Sequence, residues 1–161
     1  MAKANARLVG GRVLVDCRDE EFCKALEKQG YLEGGEMEAL ELLYQLSQEV
    51  VELNGESGWE ALLHAARELS LRFSVFLVYM DLRKKGRWPR RSVRKDSLLL
   101  RLPSGKTGEV LVLEEGEGRR LEEVIEWVRA VQAMERVPLL AVVDKAGVIS
   151  YYEARALKKL G

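Results

Sequence analysis

The chain has 161 residues, 47% apolar and 32% charged, with acids and bases cancelling to a formal net charge of +0. That length allows one large domain or two small ones with a real core. The cancelled charge excludes reading a nucleic-acid partner from the overall balance, so only local clustering of bases can point to one.

No apolar run reaches a membrane-spanning length, since Leu98, Leu99 and Leu100 are followed by Arg101. The stretch before Gly10 is too short in apolar residues for a signal peptide. A cytoplasmic protein with no membrane partner is the expectation. Cys17, Cys23 and the lone His64 are too few ligands for a metal site. The cysteines read as small apolar fillers. A disulfide is open to them only in a hyperthermophilic source, toward which the abundance of Lys, Arg and Glu leans.

In chain order, Gly11 to Asp16 is β-branched and predicts a strand. Asp19 is placed to cap a helix carrying Phe22, Cys23 and Leu26 on one face, stopped at Gly30. Tyr31 to Glu33 is a short extended link. From Glu36 the apolar set Met37, Leu40, Leu43, Tyr44 and Leu46 predicts an amphipathic helix. Val50 to Leu53 fits either an extension of that helix or a strand, and Asn54 to Gly58 a turn. Trp59, Leu62, Leu63, Ala66 and Leu69 form the next helical face, with His64 as a partly buried packing residue. Phe73, Phe76, Leu77 and Met80 form another, ending near Gly86. The break between the last two is weak, so one helix or two remain open.

Beyond Gly86 the pattern changes. Asp96 to Leu102 and Glu109 to Leu113 predict strands joined by a loop from Pro103 to Gly108. Leu121, Val124, Ile125, Val128, Val131 and Met134 make a helical stripe. Leu139 to Glu153 reads as a terminal hairpin, in which Asp144 bonds the turn backbone and Gly147 takes a positive φ. The fold class is therefore α/β (mixed α+β) in two small domains. Residues 1–70 form a helix-rich N-terminal domain, and residues 71–161 a C-terminal domain with a small mixed sheet flanked by helices.

The strongest electrostatic signal lies between Arg83 and Lys106, where ten bases meet a single acid, Asp96. Arg83, Lys84, Lys85, Arg87, Arg90 and Arg91 lead this run, which suits a phosphate backbone, with Trp88 able to stack on an unpaired base. A solvated loop balanced by nearby glutamates is the alternative. The sequence offers no phosphate-cradling glycine loop, metal site, cofactor motif or nucleophile triad.

Four segments carry a family resemblance. Val78 to Arg87 (Val-Tyr-Met-Asp-Leu-Arg-Lys-Lys-Gly-Arg), Leu121 to Arg136, Leu139 to Glu153, and more loosely Glu38 to Tyr44 resemble the archaeal tRNA-splicing (tRNA-intron) endonucleases. The resemblance implies a two-domain α/β chain that assembles as dimers or tetramers. It also implies metal-free cleavage of pre-tRNA at bulge-helix-bulge motifs. In that chemistry a 2′-hydroxyl attacks the adjacent phosphate, leaving a 2′,3′-cyclic phosphate and a 5′-hydroxyl, served by a tyrosine base, a histidine acid and a lysine.

Position by position, the tyrosine is matched by Leu102 and the lysine by Arg136. The histidine falls in a shortened connection at Gly108 to Val112 that contains none. The resemblance therefore implies no catalytic residue in this chain. It implies a structural subunit of the heteromeric type, paired with a catalytic subunit, two of each, around pre-tRNA. It further implies Tyr151 and Tyr152 as subunit contacts, Glu114, Glu115 and Glu117 as an acidic docking loop, and Arg129 as an RNA contact. A self-contained nuclease with altered chemistry and an RNA-binding assembly module are the alternatives.

Overall fold

The computed structural model describes residues 1–154. Among these the chain is a mixed α/β protein with five helices and two mixed five-stranded sheets. It divides into two units, Met1–Phe76 and the part from Leu77 onward. No helix among the described residues is long and apolar enough to cross a membrane.

The first unit opens on a hairpin of β1 (Ala4–Val9) and β2 (Arg12–Cys17), with Val9 facing Arg12. Gly10 and Gly11 connect them at φ 56° and 79°, the pair of positive values that a two-residue type I′ turn requires. The strand expected from Gly11 is thus the second arm of a hairpin. Its first arm is rich in alanine and gives little strand signal.

Asp19 caps α1 (Glu20–Lys28), its carboxylate accepting from the Phe22 N–H at 3.0 Å. Cys17 and Cys23 are not free apolar fillers: they form a disulfide across this cap, Cα atoms 6.4 Å apart. The cap turn brings the end of β2 back beside the first turn of α1, a proximity that spacing alone does not reveal.

β3 (Leu32–Glu33) and β4 (Glu36–Met37) follow as a short antiparallel pair. The helix expected from Glu36 begins later, as α2 (Ala39–Ser47), because Glu36 and Met37 are paired to Leu14 and Val13 of β2. β5 (Val51–Leu53) runs parallel to β1, which decides the open choice for this segment. The sheet order is β3-β4-β2-β1-β5.

α3 (Gly58–Glu68) packs on α2 through Ala61, Leu62, Ala65 and Ala66. Trp59 and Leu63, expected inside, stand about half exposed, and His64 is exposed rather than packed. The small residues at 61 and 65 form the inner row and turn the buried stripe by one position. Ser70 takes a positive φ of 53° and ends this helix, so α4 (Phe73–Lys84) is separate. α4 is buried on most sides, with Phe76, Val78 and Tyr79 at 0% exposure, rather than along one stripe.

The second unit contains β6 (Arg90–Arg91), β7 (Ser97–Arg101), β8 (Thr107–Glu114), α5 (Leu121–Ala133), β9 (Val137–Val143) and β10 (Ile149–Glu153). Among the described residues the order β10-β9-β8-β7-β6 leaves β10 and β6 as the two edges. β8 and β9 are parallel, as a connection through α5 permits. Trp127, Val128 and Val131 of α5 cluster with Leu111 of β8, and Trp127 Nε1 donates to Ser97 Oγ at 2.8 Å. In the β9–β10 hairpin the Asp144 carboxylate accepts from the N–H groups of Ala146 and Val148, and Gly147 has φ 83°.

Candidate nucleic-acid interface

The second sheet brings Leu102, Gly108 and Arg136 to one rim. Leu100 of β7 faces Gly108, and Gly108 faces Val137, the residue after Arg136. The leucine side chain lies over the glycine. A Cβ added at Gly108 would meet Leu102 Cδ2 at 3.2 Å and Leu139 Cδ1 at 3.1 Å. The space that a side chain at 108 would enter is therefore filled with hydrocarbon.

Arg136 Nη1 donates to Glu109 Oε1 at 2.8 Å. The same oxygen accepts from Arg94 Nη1 at 3.3 Å, and Oε2 accepts from Ser92 Oγ at 2.9 Å. Glu109 is buried at 0% exposure. A buried carboxylate survives only when its oxygens are paired in this way.

Leu102, Gly108 and Arg136 cannot relay a proton. Leucine has no titrating group, glycine has no side chain, and a guanidinium stays protonated. Glu109 beside them is buried and held by three donors, Tyr79 is fully buried, and Tyr151 donates to Asp81 Oδ2 at 2.6 Å. Sequence reasoning takes Glu109 only as one of several acids balancing the basic run, not as a buried anchor. Its signal is an acid leading an apolar strand, Val110 to Leu113, close to a run of bases.

The basic run is partly consumed within the unit. Arg94 holds Glu109, and Lys85 Nζ pairs with Asp81 Oδ2 at 2.9 Å. Arg87 Nη1 donates to the Arg101 carbonyl at 3.2 Å. The Arg83 guanidinium lies 4.3 Å from the Trp88 ring centroid, so one face of that ring carries a cation. Lys84, Arg90 and Arg91 are exposed, the two arginines on the edge strand β6. Arg129 is exposed on α5.

The acidic loop is also tied down in part. Glu114 and Glu115 are exposed, but Glu117 Oε1 accepts from the Glu114 N–H at 3.1 Å and faces Arg119 Nε at 3.6 Å. The two tyrosines differ. Tyr152 is 56% exposed on β10, whereas Tyr151 is half-buried, held by Asp81 and overlain by Lys85. Burial, and then the hydrogen bond to Asp81, push the Tyr151 phenol well above its ordinary range.

Two mixed α/β units, the second with this packed rim, define a two-domain nuclease-like protein. Residues 2–68 match the model of the tRNA-intron endonuclease SEN2-like N-terminal domain, and residues 74–151 that of the tRNA intron endonuclease catalytic C-terminal domain. Together these matches span most of the chain, which belongs to the tRNA-intron endonuclease family. No curated protein matches it.

Proposed function

We propose that this chain is the non-catalytic structural subunit of a heteromeric tRNA-splicing endonuclease of archaeal type. It pairs with a catalytic subunit, two copies of each, in the cytoplasm. The complex cuts pre-tRNA at bulge-helix-bulge motifs by metal-independent attack of a 2′-hydroxyl, leaving 2′,3′-cyclic phosphate and 5′-hydroxyl ends. The observation that carries this reading is the packed rim. Leu102 covers Gly108 and Arg136 is committed to Glu109, so the family's tyrosine and histidine have no substitutes there. Losing a positioned acid or base lowers the rate by roughly 100- to 10,000-fold each.

In the same reading the exposed bases Lys84, Arg90, Arg91 and Arg129 face RNA, and Tyr152 faces the sister subunit. The test is a cleavage assay on a bulge-helix-bulge pre-tRNA. The purified chain alone is expected to leave the substrate intact, and a mixture with a catalytic subunit to cut both junctions. Cleavage by the isolated chain would refute the structural role.

A further inference from the structure

The segments Val78 to Arg87 and Leu139 to Glu153 meet through one hydrogen bond. Tyr151 Oη donates to Asp81 Oδ2 at 2.6 Å across a separation of 70 residues. That O–H···O distance is typical of a charge-assisted bond. The same oxygen pairs with Lys85 Nζ at 2.9 Å, and the ammonium lies 4.8 Å from the Tyr151 ring centroid. Asp81 is thus bonded at once to β10 and to the residue that follows its own helix.

The backbone of β10 alternates between two sides. Ala154 N–H donates to the Pro138 carbonyl and Asp144 N–H to the Val148 carbonyl, each at 2.9 Å. In an antiparallel pair every second residue turns its backbone groups to the neighbouring strand. Ser150 and Tyr152 therefore bond to β9, and Ile149, Tyr151 and Glu153 turn their N–H and C=O groups to the side that is open among the described residues. Tyr151, the residue that Asp81 holds, is the middle one. Tyr151 and Tyr152 are chemically alike, so burial alone does not select which of them faces inward, and a slip of one residue would exchange them. The Asp144 turn sets the register at one end of β10. Asp81 sets it further along.

We propose that Asp81 is a positioning residue. Its bond to Tyr151 latches β10 in register and holds the outward backbone groups of Ile149, Tyr151 and Glu153 ready for an extended strand of the catalytic subunit. Fixing the strand before the partner arrives reduces the ordering cost of association. The partner strand rests on the assembly reading above; the latch does not. A second copy of this chain has the same edge to offer, and the experiment separates the two.

Amide hydrogen exchange is followed on the full chain at neutral pH. Tyr151→Phe is expected to speed exchange at Tyr152 and Ala154 about tenfold and to leave the amides of β8 unchanged. Asp81→Ala is expected to do the same, and the two together no more than either alone. Asp81→Asn keeps an acceptor oxygen and is expected to restore most of the protection. In light scattering with a catalytic subunit, Tyr151→Phe and Asp81→Ala are expected to weaken assembly about tenfold, and Asp81→Asn much less.

Tyr151→Phe removes a single oxygen and decides the question where Asp81→Ala fails to fold. Unchanged exchange at Ala154 in that variant overturns the latch. Faster exchange with parent-like assembly overturns its role in docking and leaves the subunit reading intact. Self-association of the parent alone, lost in Tyr151→Phe, gives the edge to a second copy and overturns the catalytic partner. A parent chain that never assembles with a catalytic subunit refutes the subunit reading and the docking role with it, while the exchange rates still decide the latch.

Discussion

At Glu109 a strand position that faces the core holds a carboxylate. Taking that charge out of water costs several kcal/mol, and the hydrogen bonds from Arg94, Arg136 and Ser92 offset the cost. Removing the acid reverses the arrangement and leaves two half-buried guanidinium groups without their acceptor. Glu109→Leu is expected to destabilise the protein by about 3–5 kcal/mol, read from urea unfolding of the full chain. Tyr151 gives a pH signature. Its folded-state pKa lies above that of a free tyrosine, about 10. The folded protein therefore keeps a proton that the unfolded chain gives up. This contribution is fully present below about pH 10 and declines as pH rises toward the folded value. Tyr151→Phe is expected to flatten the fall in urea midpoint between about pH 9 and pH 11. Motif spacing singles out Leu102 and Arg136 in the sequence, and strand register sets both beside Gly108. The burial of Glu109 was not legible there, because only the strand register and two loops bring its partners to it.

Elements with their own punctuation were legible. The β9–β10 hairpin carries an aspartate and a glycine at its turn, and α1 carries Asp19 at its cap. Short strands were not. β3, β4 and β6 have two residues each, too few to show a period, and they exist because neighbours supply hydrogen bonds. The inner face of α3 was misjudged because alanines, not the larger Trp59 and Leu63, make its contact. The disulfide is a property of the β2–α1 junction and has a measurable weight. It closes a loop of six residues, which in the chain-entropy account contributes about 2 kcal/mol. A Cys17→Ser, Cys23→Ser double variant is expected to lose about that much stability in the first unit. Thermal melts with and without reductant check it: reductant lowers the melting temperature of the parent and leaves the variant unchanged.

Across the whole molecule, zero net charge conceals a division of labour between the two edges of the second sheet. An edge strand presents unpaired backbone groups and invites another strand to join it. β6 is two residues long and both are arginines, which discourages pairing with a second copy of itself. β10 has five residues and side chains that alternate, Tyr151 turned in to Asp81 and Tyr152 turned out at 56% exposure. The proposed two-of-each assembly therefore has one edge suited to strand pairing and one suited to polyanions. An outward tyrosine on such an edge is the residue type that interfaces favour as an anchor. Tyr152→Asp places a charge there without disturbing the Tyr151 hydrogen bond. It is expected to weaken assembly with the catalytic subunit by at least about tenfold, or roughly 1.4 kcal/mol. The melting temperature of the chain alone should not change. Light scattering of the mixed subunits across a dilution series reads the difference. A variant that assembles at the same concentrations as the parent would move the interface away from β10, leaving the basic edge as the remaining contact surface of this sheet.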